Sequence, residues 1–141
     1  MKFENSEYAK LKYSKIERPF GVFYLLDTFF ISELNEGIHF EWEMIKDVMH
    51  DVVNYYGKYA KLGYVSNRVN SYSINPNHWN KVDKEYNIIV ASAIVIYNDM
   101  TLMNATLEKR FFNKSLKRCN KLSEAIEWMY GLEELKSSKT Y

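Results

Sequence analysis

The chain has little of what usually announces a chemistry. It holds one cysteine, Cys119. That excludes an internal disulfide and a cysteine-built zinc site, and makes a reducing cytoplasm the simplest expected home. Its two prolines and five glycines are scattered singly, so no glycine-rich phosphate loop exists and no Pro/Gly-rich linker divides the chain. Neither sign of charge dominates: 19 Lys and Arg against 18 Asp and Glu leave a net charge of +1. A nucleic-acid binder driven by overall charge is not expected from that balance. No apolar stretch approaches the roughly 20 residues that span a membrane, and Met1-Lys2-Phe3-Glu4-Asn5-Ser6-Glu7 reads as polar rather than as a signal peptide.

What the sequence does have is core. Apolar residues make up 47% and aromatics 16%, with 12 Tyr and 8 Phe, enough to build one domain of ordinary size with rings supplying much of the packing. The expectation is a single domain over residues 1–141, with its core at about 11–132 and flexible tails at 1–9 and 133–141. The strongest local signal is Ile88-Ile89-Val90-Ala91-Ser92-Ala93-Ile94-Val95-Ile96-Tyr97. A run this apolar and β-branched, too short for a membrane, reads as a strand covered on both faces, the kind found inside parallel sheets flanked by helices.

Around it the other elements fall into order. Leu11 to Glu17 alternates weakly, as an edge strand does, and Arg18-Pro19 turns the chain into a second strand, Phe20 to Leu26, which should pair with the first antiparallel. Phe29-Phe30-Ile31-Ser32-Glu33-Leu34 reads either as a further strand, with Asp27-Thr28 as a hairpin turn, or as an apolar connection beneath the next helix. From about Phe40 to Tyr56, Trp42, Ile45, Val48, Met49, Val52, Val53 and Tyr56 recur at helical spacing, and Gly57 is a fitting stop. Leu62 to Val69 is a strand. Asn75 before Pro76 marks a helix start, and that helix runs to about Tyr86. Ile89 to Tyr97 is the central strand, and Thr101 to Phe112 a helix with Leu102, Ala105, Leu107, Phe111 and Phe112 apolar. Ser115 to Cys119 is a short last strand and Lys121 to Leu132 a final helix. The class is therefore α/β: a small, mixed, mostly parallel sheet flanked by helices, in the order β-β-α-β-α-β-α-β-α, with right-handed crossovers.

In such a sheet ligands collect at the carboxyl ends of the strands, where loops vary and helix N-termini point outward. That edge is expected to gather Asp27, Arg68, Asn70, Ser71, Tyr72, Ser73, Asn98, Asp99 and Asn120, although Asn, Asp and Ser are also the residues of ordinary turns and caps. His39 and His50 are separated by about 16 Å along a helix, so they cannot share a metal. No HExxH or paired Cys/His spacing occurs, and no metal or cofactor is expected. A hydrolase would need Ser71 or Ser73 with His78, without a G-x-S-x-G elbow to support it. Lys109, Arg110, Lys114, Lys117, Arg118 and Lys121 crowd a short stretch beside Phe111 and Phe112, a composition that suits an anionic surface or simply a solvated helix end. Tyr55, Tyr56, Tyr59, Trp79 and Trp128 are candidate interface residues.

The stretches from Phe29 to Trp42 (Phe29-Phe30-Ile31-Ser32-Glu33-Leu34-Asn35-Glu36-Gly37-Ile38-His39-Phe40-Glu41-Trp42) and from Tyr64 to Asn70, with the order of elements from Gly21 to Trp128, resemble the STAS domain, and within it the SpoIIAA-like proteins. The resemblance implies a STAS-like fold and a regulatory or protein-interaction module without catalysis. It would bind a protein partner or itself, with no nucleic acid and no membrane span. It also implies phosphorylation in the loop after the strand that follows the first helix, here at Ser71 or Ser73. That loop departs from the Asp-Ser-Ser/Thr-Gly pattern, since Tyr72 separates the two hydroxyls. The alternative is a carrier or sensor for a small apolar or anionic ligand near the strand ends, an ability that the related CRAL-TRIO fold brings to mind.

Overall fold

A computed structural model describes residues 1–136. Short 3-10 turns at Phe3–Asn5 and Glu7–Lys10 precede β1 (Ser14–Arg18), β2 (Gly21–Leu25), β3 (Phe29–Leu34) and the two-residue β4 (His39–Phe40). Then follow α1 (Trp42–Tyr56), β5 (Leu62–Asn67), the two-residue β6 (Ser73–Ile74), α2 (Asn77–Tyr86), β7 (Ile89–Val95), α3 (Asp99–Glu108), β8 (Ser115–Cys119), α4 (Leu122–Gly131) and α5 (Glu133–Lys136). The main sheet has six strands in the order β1-β2-β3-β5-β7-β8. β2 runs antiparallel to both of its neighbours, β1 and β3, whereas β3, β5, β7 and β8 run parallel.

Phe29–Leu34 is therefore a strand. All six of its residues are buried, because both faces of the sheet are covered there, and this is why the segment shows no alternation. The hairpin before it closes with the Leu26 amide donating to the Phe29 carbonyl at 2.9 Å. β7 lies between β5 and β8, as its composition foretold. One face of the sheet packs against α1, α2 and α3 through Phe30, Ile94, Val48, Met49, Val52, Trp79 and Ala105. The other packs against α4 and the N-terminal segment through Ile31, Val65, Ala93, Ile126, Met129 and Phe3.

Helix α1 buries Ile45, Val48, Met49 and Val52, a single stripe, and ends where Gly57 takes φ 97° and returns its amide to Val53. Each such side chain contributes about 1.5–3 kcal/mol by leaving water. The expected loose segment at residues 1–9 is instead docked. Phe3 is fully buried, its ring stands 4.6 Å from Tyr24 and 5.0 Å from Tyr13, and its amide donates to Glu33 Oε2 at 2.7 Å. A lone Phe among polar residues carries no periodicity, which is why the segment reads as a loose tail. At the other end Leu135 is buried, while residues 137–141 lie outside the described residues. Among the described residues no helix is long and apolar enough to cross a membrane.

Candidate functional site

At the carboxyl end of β5 a buried polar cluster borders an apolar chamber. Arg68, the first residue after β5, is 5% exposed. Its Nη1 and Nη2 donate to Glu108 Oε2 and Oε1 at 2.7 and 2.6 Å, its Nε donates to Ser66 Oγ at 3.0 Å, and its guanidinium carbon lies 5.0 Å from the centre of the Tyr72 ring. Glu108, on the last turn of α3, is 2% exposed and also accepts from Trp79 Nε1 of α2 at 2.8 Å. Tyr72 shares a hydrogen bond with Ser66 Oγ at 2.8 Å, and Tyr64 shares one with Ser32 Oγ at 2.7 Å. Burial alone would pull the Arg68 guanidinium down, but Tyr72 and Glu108 outweigh it and hold the group above its ordinary value. Burial pushes the Tyr64 and Tyr72 hydroxyls up as well, which keeps both protonated. The result is a bidentate, fully paired ion pair tying β5, α2 and α3 together.

Beside it is a cavity of about 60 Å³ lined by Phe30 and Tyr64 of the sheet, Met49 of α1, Trp79 and Val82 of α2, and His78. The His78 ring stands 5.7 Å from Trp42. Burial, Lys81 and His39 lower its basicity against one backbone hydrogen bond with Phe40. Its Nδ1 is shielded and has no hydrogen-bond partner.

The other expected site residues divide. Asp27 does not join this edge. It sits in the β2–β3 turn, and because β2 runs antiparallel, that turn lies at the amino ends of the parallel strands, as the pairings Leu25↔Phe30 and Phe29↔Gly63 require. Asn70 Nδ2 donates to the Leu34 carbonyl at 3.0 Å, and the Ser71 amide donates to Glu36 Oε1 at 3.0 Å, so both brace the loop. Asn98 is the N-cap of α3, its Oδ1 accepting from the Thr101 amide at 2.8 Å; Asp99 is exposed in the first turn. The Asn120 amide donates to Glu124 Oε1 at 3.0 Å. Asn98, Asp99 and Asn120 thus serve as caps and turn residues. Ser73 does not meet His78. Its Oγ hydrogen-bonds His39 Nδ1 at 2.7 Å across the β4–β6 ribbon, where both residues are exposed. That two-residue ribbon, too short for any pattern, was not anticipated.

The basic stretch is likewise dispersed. Lys114 pairs with Asp83, Lys117 with Glu124, and Arg118 donates to Thr106 Oγ1 at 2.8 Å. Tyr56 is structural, its hydroxyl donating to the Leu26 and Phe29 carbonyls at 2.6 and 3.0 Å.

Helix α3 departs most from its sequence reading. Leu102 and Leu107, two of the apolar residues noted in its sequence, are exposed. What it buries is Thr101, Ala105 and Glu108, spaced i, i+4, i+7 on one face. The opposite stripe, Met100, Met103 and Leu107, is 64, 69 and 47% exposed.

No protein-family model matches the chain, and no curated protein matches it. Among solved structures it is similar to an uncharacterized protein of the DUF3478 family with a SpoIIAA-like fold from Shewanella loihica PV-4. The two share 10% identity, the match covers 84% of this chain and 92% of that one, and the TM-score is 0.50. The chain has a SpoIIAA-like fold.

Proposed function

We propose that the chain is a non-catalytic regulatory module of the SpoIIAA-like, STAS type, working in the cytoplasm by docking a protein partner or a second copy of itself. The observation that carries this reading is the inverted α3, which hides Thr101, Ala105 and Glu108 and presents Met100, Met103 and Leu107 to solvent. A buried charge and an exposed apolar stripe on one helix are the two departures from ordinary burial that inform most about function. Methionines adapt to varied partners. Phosphorylation at Ser71 or Ser73 would add about two negative charges beside this edge and provide the control.

The test is native mass spectrometry of protein purified gently from its own cells, as wild type and as Met103→Glu. The variant should fold as stably as wild type, since the site is exposed, and should lose an assembly that wild type shows. An assembly untouched by the variant, or a bare monomer in both, overturns the reading. A second reading has its own observation in the chamber beside Arg68 and Glu108: the same module carries or senses a small apolar molecule.

A further inference from the structure

Resting on that second reading, we infer that the chamber takes a neutral, largely apolar molecule carrying one hydrogen-bond donor, such as an alcohol, a phenol or an indole, and that His78 Nδ1 accepts from it. Charge decides the first half. Among the described residues Arg68 is the one permanently cationic residue lining the cavity, and Glu108 already neutralises it through two bonds at 2.6 and 2.7 Å. An entering carboxylate or phosphate would meet a buried anion beside its only counter-charge and would have to break that pair. An ammonium group would face the guanidinium. The anionic ligands allowed by the sequence are therefore disfavoured, and a neutral one enters without cost to the pair.

His78 decides the second half. Among the described residues Nδ1 is shielded and has no hydrogen-bond partner. A shielded N–H without an acceptor is rarer than an under-used acceptor, so the proton is assigned to Nε2 and Nδ1 keeps its lone pair. Burial, Lys81 and His39 all disfavour the cation, so the ring is neutral and Nδ1 offers a lone pair rather than a proton. A shielded acceptor without a partner is a standing cost that a donor removes. Ligand size follows from the open space. About 60 Å³ is well under the roughly 150 Å³ of an engineered benzene site. The chamber therefore suits a donor group with a few carbons, and a longer tail must extend through its open side or move an adaptable wall such as Met49.

The experiment titrates the isotopically labelled full chain with 1-hexanol, sodium hexanoate and hexylammonium chloride, following amide and Trp79 indole resonances and the His78 Nδ1 nitrogen shift by NMR. Hexanol should move the resonances of Phe30, Tyr64 and Trp79 saturably, shift His78 Nδ1, and bind at least tenfold more tightly than hexanoate or hexylammonium. His78→Phe, which keeps a ring but no acceptor, should weaken hexanol about fivefold, the share of one net hydrogen bond. If hexanoate or hexylammonium binds as well as hexanol, or the Nδ1 shift stays fixed while the chamber fills, the donor assignment falls and the chamber stands. If no probe moves the chamber resonances at millimolar concentration, or only residues of the α3 surface respond, the chamber reading itself falls. The three-probe comparison needs no variant, so a His78→Phe chain that fails to fold still leaves a decisive result.

Discussion

Removing either half of the Arg68–Glu108 pair should be far more damaging than removing both. Both residues are almost wholly enclosed, at 5 and 2% exposure. Arg68→Met strands the Glu108 carboxylate with only the Trp79 indole as donor; Glu108→Leu strands the guanidinium beside Ser66 and Tyr72. Breaking a buried pair from one side costs about 3–5 kcal/mol, whereas replacing both partners by apolar residues of similar size is often neutral or better. Here the double change leaves the Trp79 N–H without its acceptor, so about 1–3 kcal/mol of loss is expected to remain. A domain with roughly 5–15 kcal/mol of total stability would lose about a fifth or more in each single variant. With a urea slope of about 2 kcal/mol per molar, each midpoint should fall by about 2 M. Urea titration followed by tryptophan fluorescence reads all four proteins, and Trp79 reports from the pair itself. Single variants within about 1 kcal/mol of wild type would show that the pair is open to water. A double variant as unstable as the two singles added together would refute the coupling.

Phe3→Ala should cost about 3–5 kcal/mol in the same assay, the usual loss for a fully buried ring; a loss below 1 kcal/mol would mean that the N-terminal segment is not part of the folded core. The Glu33 carboxyl lies above its ordinary 4.5 because burial outweighs the hydrogen bonds from Phe3 and Asn67. The folded chain therefore keeps this proton to higher pH than the unfolded one, and stability should decline as pH rises from about 4.5 through the folded value. Glu33→Gln should remove that decline, and an unchanged slope of stability against pH would refute the assignment. Cys119 is 1% exposed with its thiol pushed up to about 11, chiefly by burial, so a disulfide reagent at pH 8 should react only after denaturation; rapid native labelling would contradict it. If the loop is phosphorylated, mass spectrometry should find Ser73, beside His39, in preference to Ser71, whose amide already faces the Glu36 carboxylate; dominant modification of Ser71 would reverse that order.

The fold was legible because its signals are periodic or continuous. The apolar run at β7 and the helical stripe of α1 both report burial directly, and Gly57 ends α1 with the positive φ that glycine permits. The site was only half legible. Arg68 was found by its place at the carboxyl end of a strand, but its partner was not, because a lone glutamate on a helix read only through its apolar residues draws no attention. A usable signal existed: Thr101, Ala105, Glu108 and Phe112 form a stripe of helical spacing, all buried, that an apolar-only search passes over. Asp27 was misplaced for a topological reason, since an antiparallel strand carries its following turn to the opposite edge. His78 and the His39–Ser73 contact depend on the β4–β6 ribbon, which brings residues more than thirty positions apart side by side and leaves no local trace.

The pair matters less as a source of stability than as a fixing device for α3. A buried ion pair roughly balances its own desolvation, so its presence does not explain why the chain folds. α3, however, has no large side chain on its inward stripe apart from Glu108; Thr101 and Ala105 bury little area. Its apolar residues face solvent, so the hydrophobic effect that seats α1 does not seat it. What remains is polar: the Asn98 cap at one end, the Arg118 bond to Thr106 Oγ1 along its length, and the Arg68 and Trp79 contacts to Glu108 at the other end. A helix held by polar geometry rather than by apolar area is placed accurately and gripped lightly. Its exposed methionines are thereby offered at a defined angle.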